Sequence, residues 1–172
     1  LITYAREYLS RYPDSPEAID VVKRLGDALV RNNKRIEAAD AYRALWLHKP
    51  VNANREAAQR ASELYVNTGN GRLRIRAAQM AESLLDKLPA NEFTLRAGFR
   101  AVNEYRAISR WAEANFAAQK MLKKGLPLTR RMQRELHELM ASSYASQSQW
   151  ANSVGSIKQA RGLEDRPELH LR

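Results

Sequence analysis

Three histidines, two acids one helical turn apart and several clusters of arginine are the side chains here that could do chemistry. His48, His137 and His170 lie far apart, and none has a second His or Cys three or four residues away, the spacing that brings two metal ligands together on a helix. There is no cysteine, which excludes disulfides, thiol nucleophiles and thiolate metal sites. Glu135 and Glu138 stand one turn apart, but a pair of acids on a helix reads first as a solvated face. No glycine-rich phosphate loop follows a strand, and no local motif assembles a Ser-His-Asp set. The expectation is a chain without catalytic, metal or cofactor sites, with His137 packed on a core-facing slot.

Arginine offers a different chemistry, the capture of anions. The chain carries net charge +10, and residues 72–134 hold 14 basic against 5 acidic groups. Arg72, Arg74 and Arg76 fall in the first turn of an expected helix, as do Arg130 and Arg131. A helix N-terminus is partially positive, so each cation there is unfavourable by up to about 1 kcal/mol. Arg96 and Arg100 form an i,i+4 pair of like charge, unfavourable by a few tenths of a kcal/mol. A bound anion reverses the sign of these terms; plain solvation and salt screening make them small.

The elements that must position these arginines are helices. Ala, Leu, Arg, Glu and Gln abound and all favour helix, while no alternating β-branched run or hairpin dipeptide is present. The clearest stretch is residues 22–50. Leu25-Gly26 sets a large residue beside a small one three residues before Leu29, then Ala38, Tyr42 and Leu45 recur at helical spacing and Pro50 stops the run. Related patterns follow. Leu64-Tyr65 precedes the turn Gly69-Asn70-Gly71, and Ala77, Ala81, Leu84 and Pro89 close the second pair. Ala101, Val102 and Tyr105 precede Trp111, Ala114, Ala118 and Met121; Met140, Ala141 and Tyr144 precede Trp150, Ser153, Ile157 and Ala160. The spacing predicts helices over 15–31 and 35–48, 53–68 and 72–87, 91–107 and 111–124, and 129–147 and 150–162, after an amphipathic segment over 1–11. Trp111 and Trp150 occupy one slot, read as packing between repeats.

This pattern resembles the tetratricopeptide (TPR) repeat, in which a large apolar residue, Leu-Gly and a leucine or aromatic are followed by Ala, an aromatic, Ala and Pro. The resemblance implies an all-α, right-handed α-solenoid of antiparallel helix pairs, a TPR-like superhelix. Its repeats would run over 15–50, 53–89, 91–127 and 129–165 in a single array across 1–172, with a partial helix at each end, as a fragment of a longer array. The small residues Ala38, Ala77, Ala114 and Ser153 are 39, 37 and 39 residues apart, longer than the 34 of a TPR, so HEAT-like and half-a-TPR relatives stay open. The phrase Tyr8-Leu9-Ser10-Arg11-Tyr12-Pro13-Asp14-Ser15-Pro16 also resembles the repeat junction of bacterial envelope TPR lipoproteins.

In TPR proteins the first helix of each pair lines a concave groove that takes the partner. The resemblance places Asp20, Lys23, Asp27 and Arg31 in that groove, then Gln59, Ser62 and Val66, then Arg96, Phe99, Arg100, Asn103 and Arg106, then Glu135, Glu138 and Ser142. The partner-binding residues it favours are Lys23, Arg96, Phe99, Arg100, Asn103 and Arg106. One TPR subclass grips a peptide's terminal carboxylates with Lys, Asn and Arg; here Asp27 and Glu63 replace two asparagines and would repel them. The expected function is a non-catalytic protein-interaction or scaffold segment, binding an acidic peptide or protein surface in a basic groove. The alternatives are an RNA-binding helical repeat and a TPR scaffold of a bacterial polysaccharide-export or cell-envelope assembly. Nucleic acid would use the net +9 of residues 72–134 but finds few aromatics for stacking. The envelope reading favours the periplasm over the cytoplasm. No apolar run is long enough to span a membrane.

Overall fold

The computed structural model describes residues 1–163, and the last two residues of the fourth expected repeat, the partial helix after it and His170 lie outside that range. Two compact units divide the chain, Leu1–Leu88 and Pro89–Arg172. The first holds α1 (Ile2–Arg11), α2 (Ala18–Arg31), α3 (Arg35–His48), a 3-10 turn at Asn52–Asn54, α4 (Arg55–Val66) and α5 (Gly71–Lys87). The second holds α6 (Glu92–Ala107), α7 (Trp111–Lys123), α8 (Arg130–Ser146) and α9 (Trp150–Gly162). Within each unit every helix packs against the next in sequence, the order expected of an all-α repeat fold. The described residues contain no strand.

The turns repeat one backbone solution. Asn33, Ser109 and Ser148 take φ of 58°, 59° and 57°, and Gly69 takes 70° in the second pair. In the three non-glycine turns the amide three residues past the helix returns to the same carbonyl slot: Lys34 N to Leu29 O at 2.8 Å, Arg110 N to Tyr105 O at 2.8 Å and Gln149 N to Tyr144 O at 2.9 Å. A left-handed residue after a helix satisfies the orphan carbonyls and reverses the chain in three or four residues. Helix starts are closed by side chains where the sequence allows. Asn70, Asn91 and Thr129 accept from the amides of Arg72, Thr94 and Met132, each such cap contributing about 1 kcal/mol.

Small residues let the helices close on one another. Ala38, Ala77 and Ala114 are shut from solvent and Ser153 is buried, as their shared slot requires. Gly26 on α2 lies against the Tyr42 ring on α3, and Gly98 on α6 lies against Met121 on α7. In the first unit Ala5, Leu25, Leu29 and Ala38 form one apolar cluster, with Ile2, Leu9, Val21, Ala41 and Leu64 against it. Trp46, Tyr42 and Tyr65 are the largest fully buried side chains of the unit.

Two expected core residues lie elsewhere. Trp150 is 65 % exposed, and Ile157 and Val154 are exposed with it. Among described elements α9 packs substantially against α8 alone, so it buries one narrow stripe, Ser153, Ser156 and Ala160, and turns its large residues outward. Trp111, whose helix α7 packs against both α6 and α8, is half-buried. Ser62 is the reverse case. It is buried on α4 and donates to the Ala77 carbonyl of α5 at 3.0 Å, so it is a packing residue and not a groove position.

Candidate functional site

Five of the six favoured residues share one helix. On α6 the buried stripe is Thr94, Leu95, Ala97, Gly98, Ala101, Val102 and Tyr105. At 100° per residue that stripe turns Arg96, Phe99, Arg100, Asn103 and Arg106 to the opposite side. Arg96 and Asn103 are exposed, while Phe99, Arg100 and Arg106 are half-buried. Phe99 therefore sits among cations, with an apolar body partly open to a partner. Arg96 reaches Glu92 at 3.3 Å, with both side chains nearly four-fifths exposed. An exposed i,i+4 pair of that kind contributes a few tenths of a kcal/mol and leaves the guanidinium exchangeable. On the neighbouring helix α7, Glu113 pairs with Arg110 at 2.7 Å. Arg106 buries its Nε without a hydrogen-bond partner.

The sixth residue, Lys23, belongs to the other unit. It is half-buried on α2 and lines a cavity of about 110 Å³ with Asp27, Tyr42, Glu56, Ala57 and Arg60. The polar order there was not foreseen. Tyr42 donates to Asp27 at 2.8 Å, Arg60 bonds the same carboxylate at 2.5 Å and the Tyr42 hydroxyl at 3.1 Å, and its guanidinium lies 5.8 Å from the ring centre. The Tyr42 hydroxyl, with burial opposing and Arg60 assisting, holds the Asp27 carboxyl below its ordinary value of 3.8. Asp27 is thus neutralised within the fold, which removes the repulsion of incoming carboxylates that its position in sequence implied.

The motif recurs one helix on. Tyr65 on α4 donates to Asp40 on α3 at 2.5 Å, and Arg76 on α5 bonds Asp40 at 3.1 Å with its guanidinium 5.9 Å from the Tyr65 ring centre. Acid, tyrosine and arginine come from three successive helices each time, so each set ties a helix to its next two neighbours. Arg76 is accordingly spent inside the unit and is not part of an anion site. The signal that would have found both sets is a buried tyrosine with an acid and an arginine on the flanking helices.

These sets make a pH dependence. Burial, and then the Asp40 carboxylate, push the Tyr65 phenol from 10.0 up to about 12, and burial raises Tyr42 as well. A phenol whose folded pKa is raised contributes stability that is whole below pH 10 and is lost as pH climbs through 12. An ultraviolet titration of the folded chain is expected to show a late phenol step near pH 12 that the Tyr65→Phe substitution removes. A late step that Tyr65→Phe leaves unchanged would mean that this phenol is solvated.

The remaining chemistry-bearing groups do not converge. Among the described residues no three of His, Cys, Asp and Glu gather as a metal site, and no helix is long and apolar enough to cross a membrane. His48 is exposed and pairs with Asp14 at 2.7 Å. His137, expected in the core, is half-buried. It sits beside the α8 stripe of Leu136, Met140 and Ala141 and lines an open cavity of about 320 Å³ with Gly155 and Ser156 of α9, whose side chains are too small to cover it. Desolvation lowers its pKa.

No family model matches the chain, and no curated protein matches its sequence. Solved structures do match in shape. MamA AMB-1 superposes with a TM-score of 0.53 at 19% identity, over 99% of this chain and 91% of that one. MamA MSR-1 gives 0.51 at 18% identity over 96% and 92%, and a further MamA crystal structure 0.50 at 13% over 94% and 86%. MamA is a TPR-like helical repeat protein. The fold here is an all-α, TPR-like helical repeat. At these identities the likeness is one of fold. The repeat pairing expected from the sequence makes α2, α4, α6 and α8 first helices, and would put Lys23 and the five α6 residues in first-helix positions.

Proposed function

We propose that the chain is a non-catalytic protein-interaction scaffold whose acidic partner segment is held by Arg96, Arg100 and Arg106, with Phe99 and Asn103 beside them on α6 and Lys23 as a separate first-helix contact. The proposal treats the four helix pairs as repeats of one array. The observation that carries it is the division of α6 into a fully packed apolar stripe and an opposite side of three cations, an amide and a part-open aromatic ring. TPR-like folds offer extended surfaces made from such helix faces, and guanidinium pairs with carboxylate in a fixed, two-pronged geometry.

The test is the double substitution Arg96→Ala with Arg100→Ala. Thermal stability is expected to change by less than about 1 kcal/mol, because ion pairs of surface arginines such as Arg96–Glu92 contribute little. Affinity for a glutamate octapeptide, read by fluorescence anisotropy at two salt concentrations, is expected to fall by more than about 1 kcal/mol. Early melting with unchanged peptide affinity would make the arginines structural. Tighter binding of RNA than of the peptide, with a steeper salt slope, would replace the acidic protein partner by nucleic acid.

A further inference from the structure

Equivalent positions within the chain single out Asn115. The slot held by Ala38, Ala77 and Ala114 is followed by Ala39, Ala78 and Asn115. Both alanines are 0% exposed, and Asn115 is 4% exposed. A carboxamide thus stands where the first two pairs bury a methyl group. Its Nδ2 and Oδ1 are closed to bulk water, and neither has a hydrogen-bond partner. Buried amides left so are rare and destabilising, and each one calls for an occupant that completes it.

Asn115 lines a cavity of about 200 Å³ between α7 and the end of α8, with Phe116, Gln119, Tyr144, Gln147 and Gln149 around it. No charged side chain lines it, in a chain of net charge +10. Gln119 donates from Nε2 to the Tyr144 hydroxyl at 2.9 Å. That pair has the same 25-residue separation as Asp40 and Tyr65. The difference lies in what the bond consumes. Tyr65 gives its proton to a carboxylate, whereas Tyr144 accepts from an amide, so its proton and the Gln119 carbonyl both face further partners.

We propose that this cavity is a binding site for an extended, uncharged peptide segment read through its main chain. A carboxamide presents N–H donors beside a C=O acceptor, the complement of a peptide group's C=O and N–H. Asn115 and Gln119 are four residues apart on α7, a rise of about 6.0 Å. Two residues of an extended chain advance about 6.4–6.8 Å, so alternate peptide groups meet successive amides. A neutral sugar, the other ligand rich in paired donors and acceptors, needs an open aromatic face. Phe116 is exposed, but the Lys120 ammonium lies 4.5 Å from its ring centre and covers that face. Since the Asn115 amide is closed to water, the occupant displaces side chains of the cavity wall, of which Gln149 is exposed.

The inference rests on the reading of the chain as a protein-interaction scaffold but not on the arginines of α6, and an uncharged probe separates the two. The full chain, labelled with ¹⁵N, is titrated with a capped glycine–serine peptide and, separately, with chitobiose, following side-chain carboxamide resonances. The peptide is expected to shift Asn115 and Gln119 saturably. Asn115→Ala is expected to weaken that binding by about fivefold or more while melting no lower than the parent, since alanine fills the equivalent slots at 39 and 78. No saturable shift at millimolar peptide, equal affinity in Asn115→Ala, saturation by the sugar alone, or a long-lived water on the Asn115 amide that the peptide does not displace would each overturn the proposal. Retained glutamate-octapeptide binding with no glycine–serine binding would sink this site alone, and the reverse result would sink the arginine face alone.

Discussion

Trp46→Ala is expected to destabilise the unit Leu1–Leu88 by about 3–5 kcal/mol, the range for removing a fully buried indole. Trp46 is 0% exposed, the largest such side chain among the described residues, and its Nε1 donates to Ser83 Oγ on α5 at 2.9 Å. The loss combines transfer of the ring from the core, a cavity that rigid neighbouring helices fill only in part, and a hydrogen bond between α3 and α5. Ser83 is half-buried and recovers a water, so the polar part stays small. Domains of ordinary stability have about 5–15 kcal/mol in total, and the variant is expected to unfold at a much lower urea concentration by circular dichroism. Trp46→Phe keeps most of the apolar volume and is expected to lose much less. A Trp46→Ala loss under 1 kcal/mol would show that the indole is not packed as described.

Gly26→Ala is expected to cost about 2 kcal/mol, against the direction that helix propensity alone dictates. A glycine-to-alanine change inside a helix ordinarily gains about 1 kcal/mol. Here the new methyl meets Tyr42 Cζ at a forbidden distance, with Cε2 at 2.6 Å and the hydroxyl oxygen at 2.7 Å. Tyr42 is 1% exposed and tied to Asp27 and Arg60, so it cannot swing aside without breaking those bonds. Overpacking of this kind costs about 1–3 kcal/mol, and loss of the hydroxyl bonds adds to it. Gly98→Ala supplies the control. Its methyl meets Met121 Cγ and Sδ at 2.7 Å, but methionine is unbranched and repacks, so the propensity gain and the repacking cost should nearly cancel. Paired urea melts giving both variants the same loss would show that the Tyr42 bonds do not hold the ring in place.

Helix positions were legible because turn signals carry backbone requirements. Gly69-Asn70-Gly71 and the Asn91 cap mark boundaries that the structure reproduces to within three residues. The packed side of α6 was legible for the same reason, since Leu95, Gly98, Ala101, Val102 and Tyr105 repeat at helical spacing and are all buried. What escaped depends on neighbours. Trp150 and Ile157 have the spacing of core residues, yet burial needs a second packed helix, and periodicity along one helix does not report how many helices flank it. Ser62 looks polar in sequence and is buried because one backbone carbonyl satisfies it. The two acid–tyrosine–arginine sets join residues 15 to 36 apart on three helices, a range at which charge patterning along one helix is silent. Asn115 was within reach of the internal alignment, which sets it beside Ala39 and Ala78.

The left-handed turns bear on how such a chain diverges. Of the four short turns α2–α3, α4–α5, α6–α7 and α8–α9, three place Asn33, Ser109 and Ser148 at nearly the same φ, and Gly69 serves the fourth. What recurs at these points is a dihedral angle and a carbonyl to be satisfied, not an amino acid. Asparagine, serine and glycine all meet that demand, although the non-glycine residues accept some strain in doing so. A lineage can therefore exchange the letters at its turns while the backbone angle that reverses the chain stays the same.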